Sequence, residues 1–470
     1  MHWLSVVPFV VILAIAICTK QVIPALAVGL LTGSYLVQPS VLGGIRQASV
    51  YLVSDLGSPT NLYVIGFLYI FAGIVRLIEQ SGGVKGFITL VSRRIRTRRQ
   101  TLWMLWGTVV GTFSAPDLRI VTVGPLAKAL QQRIPAAKER LSFIIEATGL
   151  PIIALLPVGT SFIGYMIATI ALSLKAAHAP GNPYGLFLAS IPYNLFAIAV
   201  IALTFVYTAV GHPRLGRASA SEPDARQRAA RDREAIANAH EAVAEELPPR
   251  PLNLFIPLGA VVLLTLFVPL WVGFQRAHDV LRSLVSGNVV QSMFMAIVLA
   301  LGITAVLLLS EGFPLTSLVT EFVDGGNTLM PVIVLLALVW AIASAAERLG
   351  LAPFVTASLR WVPAALVAPA VFALGALLSY LLGSSFGAWG ILMPIGVAMA
   401  QASRVSVPLL IGAVFAAGTF GGLVSPFSDS TVIMAQIMGL DLLAYSRYKL
   451  RHSLIPLLLA FVGYYLVRVL

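Results

Sequence analysis

Several apolar stretches in this chain exceed the roughly 20 consecutive residues that a membrane-spanning helix needs. Hydrophobic residues make up 58% of the 470 residues and charged residues only 11%, whereas a soluble domain carries about 25% charged residues. The sequence therefore predicts an all-α polytopic membrane protein, with the lipid bilayer as its surroundings. The first 19 residues lack a basic start and a cleavage site, so we expect an uncleaved first helix.

The remaining composition excludes several classes of protein. The net charge of +12 is typical of a membrane protein with basic cytoplasmic loops, so no nucleic-acid partner is expected. Cys18 is the single cysteine, which excludes an internal disulfide and a cysteine-based metal cluster. No phosphate-binding Walker loop is present. We therefore predict no enzyme activity, no ATP-driven transport and no cofactor.

The apolar stretches divide the chain into two membrane halves. Residues 1–210 and 252–470 are predicted transmembrane repeats, and residues 211–251 form a polar cytoplasmic connector of mixed charge. A polar loop is expected between the second and third spans. Spans without polar breaks are predicted at residues 3–19, 22–37, 62–78, 186–210, 252–274, 289–309, 329–346 and 454–467.

A polar run interrupts the apolar stretch near the C-terminus. Residues 425–431 read Ser-Pro-Phe-Ser-Asp-Ser-Thr, and proline, serine and aspartate all disfavour a continuous helix. Unwound backbone at membrane depth is tolerated only where it is buried in protein or lines a wet cavity. Asp429 is therefore a functional candidate. The alternative is an interfacial loop between two short helices.

A similar broken stretch lies in the first half. Residues 141–174 are apolar but are interrupted at residues 146–151, which include Glu146 and Thr148, and at residues 157–161, which include Thr160 and Ser161. We predict a second helix with polar breaks near its centre.

Two other stretches are predicted to enter the membrane and return. Residues 101–126 have basic residues on both sides but are too short for two spans, so a re-entrant hairpin with its tip near residues 114–117 fits best. The alternative is one full helix that violates the charge rule. Residues 362–402 are broken at residues 383–387, which include Ser384 and Ser385.

The two halves share one order of elements, which predicts an internal repeat. A helix ends near Gly83 in the first half and near Gly350 in the second; a hairpin and then a broken helix follow in each. Taking residues 93–99 and the cluster of Arg447, Lys449 and Arg451 as cytoplasmic gives the halves opposite orientations. Two inverted repeats are the plan of many secondary transporters. Chance similarity between apolar stretches is the alternative.

The hairpin tips and helix breaks are expected to converge near the membrane midplane. Half-helix N-termini favour anions and C-terminal carbonyls favour cations. A buried carboxylate such as Glu146 or Asp429 can hold either a proton or a cation, which is the minimum for an antiporter. Hydroxyl oxygens from serines and threonines suit a hard alkali cation.

These motifs resemble the NhaC family of sodium–proton antiporters, within the larger ion-transporter superfamily. The resemblance covers nearly the whole chain except the connector, and residues 385–394 and 425–431 are its most specific parts. It also includes residues 123–125, 138–141, 145–151, 160–162, 339–342 and 349–351. The resemblance implies Na⁺/H⁺ antiport by alternating access and a homodimer.

The first hairpin departs from the family's pattern. Where the family has two adjacent aspartates, a tyrosine and an asparagine, this chain has Ala115, Pro116, Asp117 and Arg119. Glu146 stands where the family has an aspartate. Arg119 could neutralise Asp117, replace a bound sodium ion or hold a substrate carboxylate.

We hypothesise a secondary transporter of the inner membrane that exchanges Na⁺ for protons, with Asp429 and Glu146 as the exchanging, cation-binding carboxylates. One alternative is a proton-coupled carrier of a small organic anion or amino acid, with Arg119 as the anion clamp. Another is a membrane scaffold or sensor that transports nothing. The predicted ion- or substrate-binding residues are Asp429, Ser428, Ser425, Thr431, Glu146, Thr148, Ser384, Ser385, Asp117, Arg119, Ser114, Thr160 and Ser161.

Overall fold

A computed structural model describes most of the chain, and it confirms the predicted all-α class. It is 86% helical, with no strand among the residues it describes. Ser114, the basic run at residues 93–97 and residues 211–247 of the connector lie outside the described residues. The described ranges are 2–19, 21–92, 98–113, 115–133, 137–157, 159–210, 248–277, 289–351, 353–354 and 363–469.

The helices of the first half run up to the connector. They are α1 (Val7–Thr19), α2 (Val22–Val37), α3 (Gly43–Leu56), α4 (Pro59–Gln80), α5 (Gly83–Ser92), α6 (Arg98–Gly107), α7 (Val109–Thr112), α8 (Pro116–Arg133), α9 (Lys138–Ala147), α10 (Leu150–Ile153), α11 (Ser161–Ala176), α12 (Pro183–Ser190) and α13 (Leu195–Val210).

The helices of the second half follow the connector. They are α14 (Leu252–Ala277), α15 (Val289–Ser310), α16 (Leu315–Asn327), α17 (Met330–Arg348), α18 (Ala364–Leu382), α19 (Ser385–Ser403), α20 (Val407–Val424), α21 (Asp429–Met438) and α22 (Leu442–Val469).

Many of these helices are long and apolar enough to cross a membrane. Within the described residues there are 8 such helices, or up to 9 if a bent pair counts as one span. The bent pair is α12 and α13, which meet at an angle of 47°. The predicted span over residues 186–210 is therefore bent, because Pro192 has no N–H to donate and a short 3₁₀ turn, Ile191–Tyr193, separates the two helices.

The predicted loop between the second and third spans is instead mostly helical. Helix α3 buries Ala48, Tyr51 and Asp55 along one side, and the Asp55 carboxylate accepts a hydrogen bond of 2.8 Å from Ser344 on α17. Its apolar residues recur with helical spacing and never form a continuous run. A search for continuous apolar stretches therefore misses such a helix.

Both predicted helix breaks are present. Helix α9 ends at Ala147, and only the short α10 separates it from α11, whose first turn is capped by the Thr160 hydroxyl. Helix α20 ends at Val424, and α21 begins at Asp429 after four non-helical residues. Polar side chains and prolines at these points end the helices as expected.

Helices end and begin at both predicted hairpin tips. At the first, α7 ends at Thr112 and α8 begins at Pro116. The second joins α18 to α19 at Gly383 and Ser384, with Gly383 in the left-handed region at φ 67°. Helices α18 and α19 have 19 residues each, enough to cross a membrane. Re-entry of the two hairpins and the inverted orientation of the halves stay predictions.

Three of these features meet at Gly422, near the end of α20. A Cβ added to Gly422 would lie 2.1 Å from the Ser385 hydroxyl oxygen and 2.7 Å from a methyl carbon of Leu150. The tip of the second hairpin, the break after α9 and the break after α20 are thus in contact, with no room for a methyl group between them.

We predict that Gly422→Ala destabilises this junction. Overpacking a filled interior costs about 1–3 kcal/mol, so the variant should unfold several degrees below the wild type in a thermal scan of tryptophan fluorescence in detergent. Gly259→Ala in α14 is the matched control, because an added Cβ meets nothing within 4 Å there. Equal unfolding midpoints for the two variants would contradict the packing at Gly422.

Candidate functional site

Arg119 crosslinks the first hairpin to the first helix break. Its side chain is fully buried in the first turn of α8, and hydrogen bonds use the five N–H groups that a guanidinium carries. The acceptors are neutral oxygens: the Thr108 hydroxyl at 3.1 Å, the Thr112 hydroxyl at 2.9 Å, the Thr148 hydroxyl at 2.7 Å, the Leu105 carbonyl at 2.6 Å and the Ile145 carbonyl at 3.0 Å.

The position of these acceptors explains how a buried cation is tolerated. Leu105 and Ile145 lie in the last turns of α6 and α9, where backbone carbonyls lack helical partners and the helix dipole favours positive charge. Neutralisation of Asp117 was one of the three roles considered for Arg119, and among the described residues no carboxylate bonds to Arg119. In this conformation Arg119 also has no N–H group left to hold a substrate anion.

Glu146 has a cationic partner that the sequence did not suggest. The Lys449 ammonium donates a hydrogen bond of 2.9 Å to one Glu146 oxygen, and both side chains are buried. The Tyr445 hydroxyl donates to the other oxygen. Lys449 also donates a hydrogen bond of 2.6 Å to the Thr431 hydroxyl, and its Nζ atom lies 4.7 Å from the centre of the Tyr445 ring. These contacts join α9, α21 and α22.

The prediction that Lys449 marks a cytoplasmic loop is wrong. Helix α22 begins at Leu442, twelve residues before the predicted span at 454, and this places Lys449 inside the helix with no exposed surface. Tyr445, Lys449 and His452 recur at intervals of four and three residues, which is the spacing of one helix face. That periodicity was the available signal.

A separate acidic site, formed by Asp117 and Asp429, lies at the start of α21. One Asp117 oxygen accepts a 3.0 Å hydrogen bond from the Ser430 hydroxyl, and Asp429 is close enough for its charge to repel that of Asp117. Both aspartates are exposed. Within the described part of the chain, neither carboxylate has a salt bridge to a lysine, arginine or histidine. This site joins the first hairpin to the second break.

The predicted serines mainly satisfy backbone groups at the second break and second hairpin. The Ser425 hydroxyl donates to the Tyr380 carbonyl at 2.6 Å, and the Ser428 hydroxyl donates to the Gly422 carbonyl at 2.7 Å. Ser385 donates to the Gly418 carbonyl at 2.9 Å, and Ser384 caps the first turn of α19. Each hydroxyl oxygen keeps acceptor capacity for a cation.

The other predicted hydroxyls have separate positions. Thr148 accepts from Arg119, Thr160 caps α11, and Ser161 is buried at the start of α11. The structure thus brings Asp117 to the start of α21 and places Glu146 beside Lys449, with Thr431 linking α21 to the ion pair.

A small cavity lies beside Glu146 and Ser430. It measures about 10 Å³, and these two residues form part of its polar lining. A space of this size holds about one water molecule. The cavity therefore leaves room for one water molecule beside Glu146 and the Ser430 hydroxyl, which itself bonds to Asp117.

Arg119→Met should destabilise the protein. Each hydrogen bond to a charged group contributes about 1.5–3 kcal/mol, so losing five of them should lower stability by more than about 3 kcal/mol, measured as a lower unfolding midpoint. The exposed Arg447 gives the control Arg447→Met, which should leave the midpoint unchanged. A stable Arg119→Met variant would show that the five acceptors find other partners.

Lys449→Met alone should lower stability more than the double variant Glu146→Gln/Lys449→Met, which removes both charges. Breaking a buried pair leaves a carboxylate without a partner and costs about 3–5 kcal/mol, whereas neutral replacement of both members is often tolerated. Adding Glu146→Gln to Lys449→Met should therefore raise the unfolding midpoint most of the way back to that of the wild type. A double variant as unstable as the sum of the two single variants would refute the buried pair.

Comparison with known proteins identifies the family of this chain. Residues 160–464 match the family model described as the Na⁺/H⁺ antiporter family. An uncharacterized protein of Haemophilus influenzae is 23% identical over 466 residues, which cover 91% of this chain and 84% of that protein.

Two solved transporters share the fold. The YdaH transporter of Alcanivorax borkumensis, described as having an unusual topology, matches with a TM-score of 0.58 and 19% identity over 90% of this chain and 88% of its own. MtrF of Neisseria gonorrhoeae, described as illuminating a class of antimetabolite efflux pumps, matches with a TM-score of 0.64 and 14% identity over 90% of this chain and 84% of its own.

The family match spans more than half of the chain, and the resemblance noted from the motifs is confirmed. This chain is a multi-pass membrane protein and a secondary transporter that belongs to the Na⁺/H⁺ antiporter family.

Proposed function

We propose that this protein exchanges Na⁺ for protons across the inner membrane by alternating access, and that Asp117 and Asp429 hold the cation. The observation that carries the proposal is the 3.0 Å hydrogen bond from the Ser430 hydroxyl to an Asp117 oxygen, which brings the carboxylate of the first hairpin to the residue next to Asp429 at the second break. In the described part of the chain, no lysine, arginine or histidine neutralises them. Two adjacent negative charges favour binding of a cation or a proton.

The surrounding groups suit an alkali cation. Carboxylate, hydroxyl and carbonyl oxygens are hard ligands, and the second break supplies all three kinds beside Asp429. A proton that binds either aspartate removes a negative charge and so competes with the cation. Alternate occupation of one site by a cation or by protons is sufficient for exchange.

Glu146 differs from the two aspartates. Its carboxylate already has a resident cation, the Lys449 ammonium at 2.9 Å. We therefore assign the transported cation to Asp117 and Asp429, rather than to Asp429 and Glu146 as the sequence alone suggested. The homodimer and the cytoplasmic position of the connector remain part of this proposal.

The alternative of an organic-anion carrier loses its predicted anion clamp. All five N–H groups of Arg119 are used inside the protein, and a clamp requires free donors. Cation exchange is therefore the function that the geometry supports best.

The test uses purified protein in liposomes that contain a pH-sensitive dye. Na⁺, Li⁺ or K⁺ is added outside, and the rate of proton movement is recorded. Asp117→Asn and Asp429→Asn should each slow Na⁺-driven proton movement by about 10–100-fold, because a charged partner contributes about 1.5–3 kcal/mol.

The control is Asp441→Asn. Asp441 is an exposed aspartate that caps the start of α22 by accepting a hydrogen bond of 2.8 Å from the Ala444 N–H, and asparagine caps equally well. The rate of Na⁺-driven proton movement in Asp441→Asn should equal that of the wild type. Proton movement driven by a carboxylate from a test panel but by none of the three cations would favour the organic-anion carrier. No response to any solute would favour a scaffold or sensor.

A further inference from the structure

The cavity of about 10 Å³ lies between residues of the two helix breaks. Glu146 lines it from the end of α9, and Ser430 lines it from the start of α21. The Ser430 hydroxyl also bonds to Asp117 at 3.0 Å. A hydroxyl and one water molecule in the cavity would therefore form a continuous path from Asp117 to Glu146, and proton transfer through one water is chemically ordinary.

Protonation of Glu146 would remove the counter-charge of Lys449, because few other groups face the pair. Among the described residues that face the Glu146 carboxylate, Lys449 and Tyr445 lie on α22 and Asp117 lies on α8. Lys449 itself bonds only to Glu146 and to the Thr431 hydroxyl on α21, within this part of the chain. The pair is almost fully buried, so bulk water does little to compensate a change of charge.

We propose that the Glu146–Lys449 pair is the internal proton acceptor of the cation site, and that its protonation loosens the contact between the two helix breaks. This inference rests on the proposed function. When a cation binds at Asp117 and Asp429, the O–H bond of a protonated Asp117 breaks and an O–H bond forms on Glu146, through the Ser430 hydroxyl and one water molecule.

The transfer changes the charge of the pair from zero to +1. Lys449 then keeps only a neutral hydroxyl and the face of the Tyr445 ring as partners, and a buried ammonium without a counter-charge is unfavourable. The link that joins α9, α21 and α22 therefore weakens when the proton arrives. Opening of this contact exposes Glu146 to the side from which the cation came, and the carboxyl releases its proton to water there before the cation crosses, which restores the pair.

The experiment separates cation movement from proton movement. Radioactive Na⁺ exchange between Na⁺-loaded liposomes and the medium at equal pH measures the first, and the Na⁺-driven pH change measures the second. The Glu146→Gln/Lys449→Met variant should keep Na⁺ exchange within about twofold of wild type and lose about 100-fold in proton movement, the usual contribution of a positioned proton-transfer group.

The control removes a matched ion pair elsewhere. Arg250 and Glu311 lie 2.6 Å apart and are partly exposed, so Arg250→Met/Glu311→Gln should leave both rates unchanged. Unaltered proton movement in the Glu146→Gln/Lys449→Met variant would overturn the proposal, and so would an equal loss of both rates. The proposed function fails separately, if Asp117→Asn and Asp429→Asn retain Na⁺ exchange.

A conservative variant covers the case in which the double variant does not fold. Tyr445→Phe keeps the ring beside Lys449 and removes one hydrogen-bond donor from the Glu146 carboxylate. A carboxylate with fewer donors holds a proton more tightly. The acid limb of the pH profile for Na⁺-driven proton movement should shift to higher pH, while Na⁺ exchange is retained. An unmoved pH profile would overturn the proposal.

Discussion

Backbone groups that leave a helix inside a membrane must find hydrogen-bond partners within the protein, and this requirement organises the structure. At the first break, Arg119 binds the Ile145 carbonyl and the Thr148 hydroxyl. At the second, the Ser425 and Ser428 hydroxyls bind carbonyls of Tyr380 and Gly422. Because these side chains satisfy the breaks, two helices can stop in the interior and present carboxylates there.

The two helix breaks differ in which charged side chains lie beside them. The first contains two buried cations: Arg119, surrounded by neutral oxygens, and Lys449, paired with Glu146. The second carries Asp429, which approaches Asp117 without a cationic partner among the described residues. The protein therefore supplies its own positive charges at the first break, whereas no described lysine, arginine or histidine forms a salt bridge with the carboxylates at the second.

Local chemistry made the breaks and hairpin turns predictable, whereas long-range partners were not. Residues 425–428 and Gly383 end helices through their own backbone and side-chain preferences, and the structure ends helices there. The pairing of Glu146 with Lys449 joins residues 303 positions apart, and the hydropathy of α22 gives no sign of it because Lys449 resembles an ordinary boundary residue. Helix α3 was missed for a related reason, since its apolar face is periodic.

The absence of space around Gly422 also constrains motion. The hairpin tip at Ser385 and the break at Leu150 both touch this position, so neither can slide past α20 without separating from it. We expect the hairpin tip at Ser385 to move together with α20, and the two helix breaks to separate at the contact that joins α9 to α21 and α22.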